Sequence, residues 1–138
     1  MENRKKVSFI VGICIVLIAI FSAVILYKNI RPSKGLSYEQ ITMEQAAEYM
    51  EYGSGYVLLD VRERKEYEEG HIPGAICIPQ GLIETQAPEI LTDKEQMIYV
   101  YCRSGNRSKT AAQKLCDLGY TNITEIGGIL DWQGETEK

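Results

Sequence analysis

Four short runs of apolar residues alternate with helical patterns along the chain, and this alternation limits the fold more than any other feature. Each run has the length and composition of a strand that is buried on both faces of a sheet. The runs are Tyr56–Leu59, Ala75–Ile78, Gln96–Tyr101 and Ile123–Ile126. Strands separated by helices predict an α/β fold, in which a mostly parallel sheet is covered by helices on both faces. Ligands of such sheets bind at the carboxyl ends of the strands.

The helical segments carry their own start and stop signals. Thr42 and Gln45 have the spacing of a capping box, and the helix that follows is predicted to reach about Tyr52. A second helix is predicted to end at Leu118, because Gly119 can adopt the left-handed conformation that stops a helix. Both signals agree with the alternating pattern of strands and helices.

The N-terminal part of the chain predicts a membrane anchor. Val7–Tyr27 is a stretch of 21 residues without a charged side chain. That length matches a transmembrane helix, whereas the apolar part of a cleaved signal is usually about 7–15 residues long. We therefore expect a basic tail at 1–6, a single-pass transmembrane helix in the lipid bilayer at 7–27 and a linker at 28–35. A globular domain is expected at 36–134 and a short tail at 135–138.

The side of the membrane on which the domain lies depends on the flanking charges. Three basic residues precede the apolar stretch and three follow it, so their number does not decide the orientation. A short basic N-terminus directly before the stretch favours an N-terminus inside the cell. We therefore expect the domain to be extracytoplasmic.

Charge and cysteine content exclude two classes of partner. Residues 35–138 contain nine Lys or Arg against eighteen Asp or Glu, so nucleic acid is not an expected partner of this acidic domain. The domain cysteines are Cys77, Cys102 and Cys116, and none lies in a Cys-x-x-Cys or Cys/His pattern of zinc-site spacing. We therefore expect no metal, and no disulfide scaffold.

Cys102 lies where the predicted fold places a functional site, directly after the third strand and before the helix that ends at Leu118. Gly105 can take a positive φ, and its small or polar neighbours leave backbone N–H groups free to turn inward. Such donors, together with the positive end of the helix, lower the pKa of a thiol below about 8.5. Cys77 and Cys116 are instead expected to be buried apolar residues. Cys102 is therefore the candidate nucleophile.

Three separated motifs of the chain, in this order, resemble those of single-domain rhodaneses. They are Asp60–Ala75 (DVRERKEYEEGHIPGA), Cys102–Ser108 (CRSGNRS) and Gly127–Trp132 (GGILDW). The resemblance extends from about Leu36 to Trp132, and the apolar stretch at 7–27 lies outside it.

The resemblance implies a rhodanese-like parallel sheet and a sulfurtransferase activity. A cysteine of this family takes sulfur from a small donor such as thiosulfate as a persulfide, and a thiol, a protein acceptor or cyanide then removes it. The resemblance makes Cys102 the catalytic residue and requires no cofactor. The expected substrate-binding residues are Arg103, Ser104, Gly105, Asn106, Arg107, Ser108, Asp60 and Arg62. The ring of N–H donors is expected to hold the persulfide without a general base.

Two other functions are compatible with the same loop. Certain phosphatases and arsenate reductases share the fold, but five residues separate their cysteine from the arginine. Only four separate Cys102 from Arg107, which predicts a tighter ring that suits sulfur better than a tetrahedral phosphoryl group. Alternatively, a tethered domain of this kind binds persulfides or a protein partner with little turnover.

The charged residues near the loop are predicted to have different roles. The guanidinium of Arg103 is expected to pair with a sulfonate-like donor, and Arg107 to point outward from the first helical turn. Asp60 and Arg62 are expected at the rim of the pocket, with a four-residue-spaced ion pair between Arg62 and Glu66.

The remaining motif residues are predicted to be structural. His71 precedes a turn into a strand, and a thiolate activated by the loop leaves this histidine no necessary task. Gly127, Gly128 and Trp132 are expected to form a tight turn and to pack the last helix rather than to contact substrate.

Overall fold

The computed structural model describes residues 16–18, 20–22 and 37–138. The chain divides into two compact units, Met1–Lys34 and Gly35–Lys138. Residues 16–18 and 20–22 are helical. The predicted basic tail, most of the predicted transmembrane helix at 7–27 and the linker at 28–35 lie outside the described residues. Within the part that is described, no helix combines the length and the apolar character that crossing a bilayer requires.

The second unit is built on a five-stranded parallel sheet. Its strands are β1 (Glu39–Gln40), β2 (Tyr56–Asp60), β3 (Ile76–Cys77), β4 (Met97–Cys102) and β5 (Ile123–Gly128). They lie in the order β1-β5-β4-β2-β3, and every neighbouring pair is parallel. Four strands coincide with the predicted apolar runs, and the α/β prediction is confirmed. The two-residue β1 is too short to show a sequence pattern.

Four helices connect or flank the strands. They are α1 (Met43–Tyr52), α2 (Arg64–Glu69), α3 (Ile83–Ile90) and α4 (Asn106–Asp117), with short 3-10 turns at Gln80–Leu82 and Ile129–Asp131. The predicted capping box before α1 is confirmed, because Thr42 Oγ1 accepts from the Gln45 N–H at 3.2 Å and Gln45 Oε1 accepts from the Thr42 N–H at 3.0 Å. The predicted stop after α4 is also confirmed, since Gly119 has φ 92°.

Helices cover both faces of the sheet, as the continuous apolar strands predict. Alternate residues of a strand point to opposite faces. Leu58 and Tyr99 therefore belong to the cluster that contains Met43 of α1. Their chain neighbours Leu59 and Val100 belong to the cluster formed with α3 and α4. The two cores hold β2 and β4 firmly in the centre of the sheet.

The carboxyl ends of the central strands meet at one edge. Asp60 at the end of β2 is in register with Tyr101 of β4, and Cys102 is in register with Gly128 of β5. The residues that follow each strand are therefore brought together, although they are far apart in the chain. This edge contains the residues that were predicted to be functional.

Candidate active site

Cys102 is the last residue of β4 and is only 1% exposed. Three residues, Arg103–Gly105, connect it to the first turn of α4. Gly105 has the predicted positive φ, 94°, which turns its N–H toward the sulfur. That N–H donates a hydrogen bond to Cys102 Sγ at 3.1 Å. The loop is therefore folded around the thiol.

The loop lowers the pKa of the Cys102 thiol. Burial acts in the opposite direction, because desolvation disfavours the thiolate. The hydrogen bond with the Ser108 side chain and those from the backbone N–H groups of Ser108, Ser104 and Gly105 outweigh burial, so the pKa lies below its ordinary value. Backbone donors therefore surround the Cys102 sulfur, as the sequence predicts.

Behind the sulfur, Ser108 and Glu125 form a buried polar chain that the sequence motifs did not identify. Ser108 Oγ lies 3.5 Å from Cys102 Sγ and donates to Glu125 Oε1 at 2.5 Å. Glu125 also accepts from the Gly127 N–H at 2.9 Å, and it is 3% exposed. Its sequence signal is a carboxylate between Thr124 and Ile126, two buried residues of the same strand.

Arg107 is held by α2 instead of pointing outward from α4 as predicted. Its Nη1 and Nη2 atoms donate to the two carboxylate oxygens of Glu66 at 2.6 and 2.8 Å. These bonds lower the pKa of Glu66 from its ordinary 4.5 to about 2. The Arg107–Glu66 pair therefore fixes the first turn of α4, and with it one side of the Cys102 loop.

Asp60 and Arg62 form a second, more deeply buried ion pair. Arg62 Nη2 donates to Asp60 Oδ2 at 2.6 Å and to the Gly70 carbonyl at 2.8 Å. Asp60 is fully buried and Arg62 is 6% exposed, so Asp60 does not lie at the pocket rim. The predicted ion pair between Arg62 and Glu66 is wrong, because each side chain has a different and closer partner.

The other predicted substrate-binding residues lie on the outer surface of the loop. Arg103, Ser104 and Asn106 are exposed. Arg103 lines an open cavity of about 290 Å³. The other residues that line it are Arg62, Glu66, Glu69, Gly70, Ile129 and Leu130. Arg103 makes no ion pair with any residue of the described ranges, so its guanidinium remains available to an anion.

Gly127 and Gly128, which were predicted to form a tight turn, are the last two residues of β5, and Gly128 lies against the Cys102 loop. Gly127 has φ 87°. A Cβ on Gly128 would overlap the Arg103 carbonyl and the Ser104 Cα, so only glycine allows the two backbones to approach. Trp132 packs against the α1 side of the sheet.

His71 has the structural role that was predicted. Its ring is stacked on Tyr67 at 3.6 Å, and its Nδ1–H donates to the Tyr67 carbonyl at 2.9 Å. Its backbone forms a two-way bridge with Glu137. Residues 135–138, which were expected to form a tail, are thus partly bound to the domain through Glu137.

The other two domain cysteines are buried, as predicted. Burial raises the pKa of the Cys77 thiol and of the Cys116 thiol. Cys116 lies in the apolar cluster on the inner side of α4, and Cys77 in β3 donates to the Arg62 carbonyl at 3.7 Å. Cys102 therefore differs from both in the direction of its pKa shift.

Comparison with known proteins agrees with this geometry. Residues 42–135 match the family model of the rhodanese-like domain. The chain belongs to the rhodanese-like family. The chain is 37% identical over 102 residues to the putative sulfur carrier protein YrkF of Bacillus subtilis, covering 73% of this chain and 54% of YrkF. It thus spans only about half of that relative's length.

Two further comparisons place the rhodanese-like domain among proteins of similar size. The chain is 34% identical over 73 residues to the thiosulfate sulfurtransferase PspE of Escherichia coli, covering 53% of this chain and 70% of PspE. The rhodanese-like domain of the Alr3790 protein from Anabaena superposes with a TM-score of 0.68 at 30% identity. That match covers 73% of this chain and 80% of the solved chain. The predicted rhodanese-like fold is thereby confirmed.

Proposed function

We propose that the domain is a sulfurtransferase that carries sulfane sulfur on Cys102 as a persulfide. The observation that supports it most directly is the loop folded around the Cys102 sulfur, whose donors lower the pKa of the thiol in spite of burial. A thiolate is the form of cysteine that attacks sulfur. The same N–H groups can stabilise the anionic persulfide that replaces it.

The proposed reaction has two displacements at sulfur. The Cys102 thiolate attacks the sulfane sulfur of the donor, a new S–S bond forms, and the donor's S–S bond breaks with its electron pair leaving on the donor fragment. With thiosulfate, that fragment is sulfite. A thiolate or cyanide then attacks the outer sulfur of the persulfide, and Cys102 Sγ leaves as the thiolate. No net redox change occurs at the protein.

We propose thiosulfate or a related sulfonate-like compound as the donor. Arg103 lines the 290 Å³ cavity beside the loop, and its planar guanidinium suits the oxygens of such an anion. The relative PspE is named a thiosulfate sulfurtransferase. A phosphoryl substrate is less suited to the loop, because both terminal nitrogens of Arg107 are engaged by Glu66.

Loading of the purified chain with thiosulfate tests this function. Intact mass spectrometry should show the addition of one sulfur atom, and peptide mapping should place it on Cys102. Thiocyanate should form when cyanide is added. Cys102→Ser should abolish both signals, whereas Cys116→Ala, at a buried cysteine outside the loop, should retain them. Absence of any sulfur adduct on the unchanged protein contradicts the proposal.

A carrier role with little turnover is the second candidate, and the burial of Cys102 favours it. At 1% exposure, the sulfur is poorly accessible to small acceptors in solution. The relative YrkF is named a putative sulfur carrier protein. Stable persulfide on Cys102 that cyanide, glutathione and dithiothreitol remove only slowly would favour the carrier over the enzyme.

We also propose that residues 7–27 tether the domain to a membrane, with the domain on the extracytoplasmic side. The support is the uncharged stretch Val7–Tyr27, together with the basic residues that precede it. Protease added to intact cells should remove the domain, and carbonate extraction should leave the chain in the membrane fraction. A protected domain overturns the orientation, and extraction by carbonate overturns the tether.

A further inference from the structure

The carboxylate of Glu125 is not explained by the reaction proposed above. It lies in β5, a strand whose neighbouring residues are buried, and it is 3% exposed. A carboxylate in such a position is costly unless it is hydrogen-bonded. Its Oε1 atom receives two hydrogen bonds, from the Ser108 hydroxyl at 2.5 Å and from the Gly127 N–H at 2.9 Å. Glu125 is thus held against the residue that contacts the nucleophile.

The Ser108 hydroxyl connects Glu125 to the sulfur. It has a single proton, and that proton is directed at Glu125 Oε1, because its other acceptor, the Gly127 carbonyl, lies at 3.4 Å. The hydroxyl oxygen can then accept the thiol proton of Cys102, whose Sγ is 3.5 Å away. The three groups form one directed chain from S–H through O–H to the carboxylate.

We propose that Glu125 is a positioning residue that receives the Cys102 proton through Ser108. In the first displacement, the S–H proton moves to Ser108 Oγ while the hydroxyl proton moves to Glu125 Oε1, leaving a thiolate and a carboxylic acid. When an acceptor later removes the outer sulfur, Cys102 Sγ leaves as a thiolate, and the proton returns from Glu125 by the same route. The proposal rests on the sulfurtransferase function and adds a proton acceptor to it.

Charge favours one shared proton between Cys102 and Glu125. Two neighbouring anions repel each other, so a single proton held between the sulfur and the carboxylate is favoured over two negative charges. Glu125 also lines a second cavity, of about 360 Å³. Lys109 of α4 is the other charged side chain among the described residues that line this cavity. Its positive charge favours the negative charge that Cys102 and Glu125 share.

The pH dependence of Cys102 alkylation by iodoacetamide tests this proposal in the full chain. The rate is followed by mass spectrometry of the Cys102 peptide between about pH 4 and pH 10. In the unchanged protein, the rate of alkylation should rise with pH in two steps, with a plateau between them. Glu125→Gln keeps the shape of the side chain but cannot take a proton. Its alkylation rate should therefore rise in a single step, and below that step the rate should fall about tenfold for each pH unit.

Three further variants separate the proton path from a structural role. Lys109→Gln should change the pH at which each of the two steps in alkylation rate occurs, without removing either step. Ser108→Ala should give a single step while Glu125 remains in place, which preserves the test if Glu125→Gln fails to fold. Glu125→Asp, which keeps the acid, should restore the second step at least in part.

Several outcomes overturn the proposal. They are a single step in the unchanged protein, two steps in Glu125→Gln, or faster alkylation of Glu125→Gln at every pH, as loss of a repelling charge alone predicts. Because iodoacetamide replaces the sulfur donor, the result does not depend on sulfur transfer. Two steps in a protein that thiosulfate fails to load support the shared proton and contradict only the sulfurtransferase function.

Discussion

Arg107 and Glu66, which are 41 residues apart in the chain, form a two-pronged ion pair at 2.6 and 2.8 Å that joins α4 to α2. Both side chains are about one-third exposed. The pair fixes the helical turn that carries Ser108, so it affects the Cys102 loop without contacting the sulfur. Its contribution should be measurable both as stability and as loop geometry.

The first prediction concerns acid stability. The pKa of Glu66 is about 2 in the folded protein and 4.5 ordinarily, so its stabilising contribution is complete above pH 4.5 and is lost as the pH falls toward 2. Glu66→Gln should lower the free energy of unfolding by about 1–2 kcal/mol at pH 7. The difference from the unchanged protein should shrink between about pH 4.5 and 2. Urea unfolding at several pH values measures it.

The control for that experiment is Glu68→Gln, an exposed change in the same helix. It should alter the free energy of unfolding by less than about 0.5 kcal/mol at every pH. If Glu66→Gln behaved like Glu68→Gln, the ion pair would contribute nothing to stability.

The second prediction concerns the loop backbone. Gly105→Ala adds a Cβ at φ 94°, where its nearest neighbour would be the Gly127 Cα at 3.6 Å. The strain therefore comes from the dihedral angle and not from a clash, and it should cost about 1–2 kcal/mol. Relief of the strain would turn the Gly105 N–H away from Cys102 Sγ and raise the pKa of the thiol. Urea unfolding and the pH profile of Cys102 alkylation measure the two effects.

Gly81→Ala is the matched change for Gly105→Ala. Gly81 has no positive φ and no atom within 4 Å of the added Cβ, so both measurements should remain close to those of the unchanged protein. An unaltered alkylation profile in Gly105→Ala would show that its N–H is not needed to stabilise the thiolate.

The local features of the fold were predictable from the sequence, because each depends on residues close together in the chain. The capping box at Thr42 and the stop at Gly119 both require only a few neighbouring residues. The apolar runs predicted four strands, and the strand-loop-helix order placed Cys102 at the functional edge. The two-residue β1 left no pattern, because its position depends on pairing with β5.

The partners of the site residues were less predictable, since they come from distant segments. Spacing suggested that Arg62 would pair with Glu66, but the loop before α4 brings Arg107 to Glu66 across 41 residues. Arg62 instead pairs with Asp60, two residues away. Glu125 was missed because it lies 17 residues after Ser108, in the strand β5 and not in the helix α4. Only the packing of β5 beside β4 brings that carboxylate behind Cys102.

The third prediction concerns the buried pair of Asp60 and Arg62. Asp60→Asn leaves the Arg62 guanidinium buried without a compensating charge, and this should cost about 3–5 kcal/mol. The double change Asp60→Leu with Arg62→Met removes both charges and should cost less than the single change. Urea unfolding midpoints compare the variants. A double variant as unstable as Asp60→Asn would mean that packing, and not charge, dominates at this site.

The fourth prediction uses the opposite pKa shifts of the cysteines. The pKa of the Cys102 thiol is lowered, whereas burial raises those of Cys77 and Cys116. Iodoacetamide at pH 7 should therefore modify Cys102 at least about tenfold faster than the other two. Cys14 lies outside the described residues, so the experiment is best done with Cys14→Ser.

Mass spectrometry of Cys14→Ser should show one adduct in the folded protein, located on Cys102, and three after unfolding in guanidinium. The contrast has a physical cause, because the backbone N–H groups of Gly105 and Ser108 donate to the Cys102 sulfur, whereas burial raises the pKa of the other two thiols. Cys102→Ser in the same background should remove the fast adduct and leave the slow ones unchanged. Labelling of Cys77 or Cys116 as fast as that of Cys102 in the folded state would mean that the loop does not activate Cys102.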